Sequence, residues 1–106
     1  MSDIKVLKLS EYGKSVGTRE LGAQIREKVL PIIKTSHQVL FDFSSISIIS
    51  SAFADELFGK LYDELGETDF KNYVKVNKFD NEETKKLILL IINKGISFRK
   101  DNPSPK

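Results

Sequence analysis

The segment Val39-Leu40-Phe41-Asp42-Phe43 constrains the fold more than any other part of the chain. Val39-Leu40-Phe41 is an unbroken apolar run, the pattern of a central strand covered on both faces, so Gln38 to Phe43 reads as a strand. From about Ser51 the period becomes helical. Phe53, Ala54, Leu57, Phe58, Leu61 and Leu65 make one stripe, while Asp55, Glu56, Lys60, Asp63 and Glu64 face away from it. Gly66 lies just past the last apolar position and reads as a left-handed C-cap. A buried strand feeding a helix through a short polar turn is the building unit of an α/β layer fold.

The remaining chain extends the same alternation. Ile4 to Leu9 reads as a first strand, and Ser10 to Gly17 as a turn with a short hairpin return. Thr18 stands at an N-cap position, with Leu21, Ile25, Val29 and Ile32 on one helical face after it. Pro31 is expected to kink that helix or restart it. Tyr73 to Val76 reads as a third strand. Asp80 and Glu83 resemble a capping arrangement for a last helix through Asn93. Leu87 to Ile92 is apolar nearly all round and fits a helix or a buried strand; the Asn-Lys-Gly ending at Gly95 favours helix. The result is an α/β domain: a small mixed sheet with a parallel core and about three helices. The charged, proline-bearing stretch from Arg99 to Lys106 reads as a frayed, disordered tail.

Composition narrows the function classes. The chain has no cysteine, which excludes a disulfide scaffold, a thiol nucleophile and a cysteine-ligated zinc. A single histidine, His37, excludes a multi-histidine metal site. Net charge is only +2, too little to point to nucleic acid. Met1-Ser2-Asp3 opens polar, with no secretory leader, and Leu87 to Ile92 falls far short of a membrane span. A soluble, cytoplasmic domain without metal or cofactor is the expectation. Gly13 and Gly17 do not make a phosphate-binding loop.

Ser44, Ser45, Ser47, Ser50 and Ser51 crowd the junction between strand and helix. Two readings are open. The hydroxyls satisfy turn and helix-start backbone groups, with Ser50 or Ser51 as the N-cap. Or one hydroxyl at the helix start is a phosphorylation or anion-contact site.

Asp42-Phe43-Ser44, the isoleucine-rich turn and Ser50-Ser51-Ala52-Phe53 resemble the core motif of STAS domains, the domains of anti-sigma factor antagonists. The run Ser50-Ser51-Ala52-Phe53-Ala54-Asp55-Glu56-Leu57-Phe58-Gly59 is closer still to a bacterial STAS-like family of uncharacterised function. The resemblance implies a STAS-like domain over residues 1–98, with the tail at 99–106. It also implies a partner of the ATPase-fold, anti-sigma kinase type, and a phosphorylated serine at the position of Ser51, with Ser50 as the second candidate. Here Ser50 stands where the antagonist pattern has aspartate, and Phe53 at or beside a glycine position.

The expected activity is therefore that of a non-catalytic interaction module. Its partner-binding residues would be Asp42, Ser44, Ser50, Ser51, Phe53, Asp55 and Glu56, with Arg19 as an anion contact. Asp55 and Glu56 are adjacent on a helix and point about 100° apart, which suits a charged rim better than an acid–base pair. Asp42 also has a structural reading, as acceptor for the turn that follows it. The rival function is a small-ligand or nucleotide-binding domain using Asp42, Ser51 and Arg19 at one sheet edge.

Overall fold

The computed structural model describes residues 4–13 and 15–101. The polar start Met1-Ser2-Asp3 and the tail from Asn102 onward lie outside the described residues. Strand β1 (Ile4–Lys8) leads through a 3-10 turn at Leu9–Tyr12 to the short β2 (Ser15–Val16) and helix α1 (Arg19–Lys34). Then come β3 (Gln38–Asp42), β4 (Ile48–Ile49) and α2 (Ser51–Ala54), a π-helical turn at Asp55–Gly59, and α3 (Lys60–Tyr73). Strand β5 (Val74–Asn77) and helix α4 (Glu82–Asp101) complete the order.

β3 is central, but it is covered on one face only, where its apolar run implied cover on both. The main sheet has the order β1-β3-β5, all parallel, with Val6 opposite Leu40 and Phe41 opposite Val76. Val39 and Phe41 point into the core, while Gln38, Leu40 and Asp42 on the opposite face are only half-buried. Helices thus cover one face of this sheet, and Ile4 and Val6 stay exposed on the other. Phe41, Phe43, Phe53 and Phe58 are fully buried. The Phe58 ring meets Phe41 edge-on at 5.1 Å, and Phe43 stacks on Phe79 at 5.1 Å. The π-helical turn that carries Phe58 is therefore fixed to the sheet by aromatic packing.

Several local expectations change. The segment after β1 does not return as a hairpin: β2 pairs in parallel with β4, Val16 opposite Ile49. Thr18 does cap α1, accepting from Leu21 N at 3.1 Å. Of the two outcomes expected at Pro31, a restart does not occur: α1 runs through it to Lys34, with Pro31 on its exposed side. Gly66 adopts φ +83°, breaking the helical path inside α3 before about two further turns lead to β5. Asn81, not Asp80, caps α4 by accepting from Thr84 N at 2.9 Å. Asp80 instead accepts from Ser45 N at 3.0 Å. The largest correction is at the C-terminus. Arg99, Lys100 and Asp101 belong to α4, because Arg99 is anchored by Asp55 and Asp63, and Lys100 by Glu67.

Candidate functional site

The β2–β4 pair sets two helix starts side by side. Ser50 N donates to Val16 O at 3.2 Å, and the Ser50 hydroxyl donates to Gly17 O at 2.8 Å. The same hydroxyl oxygen accepts from Phe53 N at 3.0 Å, which makes Ser50 the N-cap of α2. Its hydroxyl is thus occupied as donor and as acceptor. Ser51, one residue on, is exposed, and its hydroxyl makes no hydrogen bond among the described residues. Of the two serines, Ser50 takes the capping role and Ser51 keeps an exposed hydroxyl.

Ser51 opens into a shallow groove of about 260 Å³ between α2 and α4, lined by Arg19, Ala52, Asp55, Ile91, Lys94 and Phe98 among others. Arg19 starts α1, so the two helix starts do share one end of the molecule. Arg19 is held by a carboxylate, donating to Asp55 Oδ2 at 2.9 Å and to Glu56 Oε1 at 3.4 Å. Asp55 is gripped from the other side by Arg99, at 2.5 Å, and Arg99 Nε reaches Asp63 at 2.7 Å. Burial pushes the Asp55 carboxyl up, but the Arg99 and Arg19 guanidiniums outweigh it and hold it below its ordinary value. One carboxylate thereby joins α1 to α4 across the floor of the groove.

Glu56 behaves differently from its neighbour. It is buried, with Arg26 at 2.7 Å and Lys60 at 3.1 Å on its carboxylate, and Arg26 also donates to its backbone carbonyl. The Arg26 hydrogen bond, with help from Lys60, keeps its carboxyl below the ordinary value against the effect of burial. α1 approaches closely here. A Cβ on Gly22 would lie 3.0 Å from Phe53 O and 3.0 Å from Glu56 Cβ.

Several expected docking residues are therefore not surface groups. Phe53 is fully buried, because the helical stripe it belongs to is the one that covers β3, so it serves the core and offers a partner nothing. Glu56 is no charged rim, since three cations and the wall of α1 enclose it. Asp42 accepts from Ser44 N at 2.8 Å and shapes the turn that Ser45 crosses at φ +67°. Burial raises the Asp42 carboxyl, and the Ser44 hydrogen bonds with nearby Lys8 and Lys78 bring it below its ordinary value. Neither Asp42 nor Ser44 lines the groove with Ser51, so the constellation Asp42–Ser51–Arg19 is not assembled. Only Ser51, Asp55 and Arg19 of the expected set meet there. Among the described residues no group of acidic or histidine side chains is placed to hold a metal. No helix among them is long and apolar enough to cross a membrane.

Arg26, Arg99, Lys94 and Phe98 are site residues that the sequence pattern did not single out. Arg26 carries a signal, lying seven residues after Arg19 and hence on the same face of α1. Arg99 was hidden by the proline-bearing residues that follow it.

A strand, a serine turn and a serine-capped helix on a parallel sheet are joined by a direct match. A family model described as a STAS-like domain of unknown function covers residues 22–84, more than half of the chain. The chain belongs to this STAS-like family. No curated protein and no solved structure matches it. The matched span of the STAS-like domain contains β3, the serine turn, α2 and the π-helical turn, and it ends just inside α4.

Proposed function

We propose that this STAS-like domain is a non-catalytic regulatory module. It docks a protein partner over the groove between α2 and α4, and phosphorylation of Ser51 releases that partner. The observation that carries the reading is the division of labour between adjacent serines. The Ser50 hydroxyl is consumed by the cap and by Gly17 O, while the Ser51 hydroxyl is exposed beside Arg19 and Lys94. A phosphate on Ser51 adds about −1.5 to −2 charge at neutral pH, enough to remodel an interface that contains those cations. The partner class is an ATPase-fold kinase or sensor of the anti-sigma type, in a bacterial cytoplasmic pathway. No nucleic acid, membrane or cofactor enters the mechanism.

Incubating the chain with a candidate ATPase-fold kinase and ATP should place phosphate on Ser51 as mapped by mass spectrometry. Ser51→Asp should weaken binding of the unphosphorylated partner, and Ser51→Ala should bind but resist release. Equal binding by wild type, Ser51→Ala and Ser51→Asp would sink the switch. The groove is also smaller than the range of about 300–1,000 Å³ usual for small-ligand pockets. That weighs against the nucleotide-binding alternative.

A further inference from the structure

Helix α4 presents a second apolar face. Ile88 and Ile92 point into the core, yet Leu87 is 54% exposed, Leu90 63% and Phe98 64%. Leu87, Leu90, Lys94 and Phe98 follow one another at helical spacings of three and four, with Ile91 midway between Leu87 and Lys94 on the same side, so they form one stripe beside the buried one. From Leu87 to Phe98 the stripe runs for about 16 Å. Its C-terminal half is a wall of the Ser51 groove, where Ile91, Lys94 and Phe98 face Ser51 and Ala52.

Lys94 sits in the middle of the stripe, exposed, and forms no ion pair among the described residues. Covering it without a carboxylate would strand a charge in an apolar seam. From Thr84 to Lys100 the helix contains no acidic residue, while Lys85, Lys86, Lys94, Arg99 and Lys100 are all cationic. A second copy of α4 paired over this stripe would not bring a carboxylate to Lys94, because Glu82, Glu83 and Asp101 lie beyond its ends: in-register parallel pairing sets Lys94 against its counterpart, and antiparallel pairing centred on the stripe sets it against Leu90 and Ile91. A flat lipid surface would suit the basic stripe but not the concave groove it borders.

We infer that the outer face of α4 is the docking surface for an amphipathic helix of the partner that carries a carboxylate within its apolar face, paired with Lys94. This rests on the docking reading above and names the partner's element. It also gives the Ser51 phosphate its target, because Lys94 then serves either the partner's carboxylate or the phosphate across the groove.

The test is selection of displayed helix-forming peptides, about 18 residues long, on the immobilised full chain, followed by affinity measurement in solution. Recovered peptides should carry an acidic residue among apolar residues spaced by three and four. They should lose at least about ten-fold in affinity on Lys94→Glu and on Leu90→Asp. Changing the peptide's acidic residue to lysine should restore binding to Lys94→Glu, a rescue that a misfolded variant cannot give. Recovery of no binding peptide, or of peptides indifferent to these substitutions, overturns the inference. So does binding of phosphatidylglycerol vesicles through the same residues without any peptide ligand. Peptides that obey the α4 pattern but ignore Ser51→Asp would uphold the surface and refute the phosphorylation switch. A kinase that senses Ser51→Asp but not the α4 variants would do the reverse.

Discussion

Removing the Ser50 hydroxyl should destabilise the domain, and removing the adjacent Ser51 hydroxyl should not. Ser50→Ala deletes an N-cap acceptor 3.0 Å from Phe53 N and a donor 2.8 Å from Gly17 O. Loss of the cap costs about 1 kcal/mol and loss of the second bond roughly another, so the sum is about 2 kcal/mol. In a domain of this size that lowers Tm by roughly 8–16 °C, and the urea midpoint by about 1 M. Ser51→Ala removes an exposed hydroxyl that has no partner among the described residues and should stay within about 0.5 kcal/mol of wild type. Ser50→Asp separates the two contributions. Its carboxylate still caps Phe53 N but cannot donate to Gly17 O, so it should fall between the others, about 1 kcal/mol below wild type. This also accounts for a serine standing where the antagonist pattern has aspartate, since both are good N-caps. Urea unfolding followed by circular dichroism measures all three. If Ser51→Ala costs as much as Ser50→Ala, the assignment of cap and free hydroxyl is wrong.

Glu56→Ala should cost roughly 2–3 kcal/mol, because it leaves the Arg26 guanidinium of α1 partly buried against the π-helical turn without its carboxylate; equilibrium unfolding checks it. Gly59→Ala would place a Cβ 2.8 Å from Arg99 Cζ, forcing the guanidinium away from Asp55 and Asp63. Hydrogen exchange in the last turns of α4 should rise in that variant while β3 stays protected. Asp55 and Glu56 are both held below their ordinary values, so on acidification the unfolded chain takes up protons first. Their contribution is complete above about pH 5 and disappears as pH falls through the folded values, a loss that Glu56→Gln should blunt in urea midpoints taken between about pH 5 and pH 3.

The elements were legible where one hydrophobic period dominates. β3, α1 and the α2 stripe follow directly from runs such as Val39-Leu40-Phe41 and Phe53-Leu57-Leu61. Periodicity failed where a residue's role is set by a distant partner. Glu56 follows the polar spacing of its helix, and only the approach of α1 at Gly22, with Arg26 above it, turns it inward. Arg99 looked like part of a tail because its anchors, Asp55 and Asp63, lie some forty residues earlier. The two-residue strands β2 and β4 are too short to show a period at all. At the site, the serine crowding was visible, but the choice between Ser50 and Ser51 depends on Gly17, which lies far away along the chain.

Asp55 couples the parts of the site. Ser51 and Asp55 are four residues apart and share a helix face, so a negative charge on Ser51 would lie beside the Asp55 carboxylate and compete with it for Arg19. Arg19 is exposed and can follow the new charge, whereas Arg99 is largely enclosed and has Asp63 as a second anchor. The ion pair between α1 and the groove floor would therefore break first, and the α4 wall would hold. A modification at Ser51 then changes the charge and the width of the groove without loosening the core beneath it, since Phe53, Leu57 and Phe58 stay packed against β3. That separation is what the proposed switch at one hydroxyl requires in a domain this small.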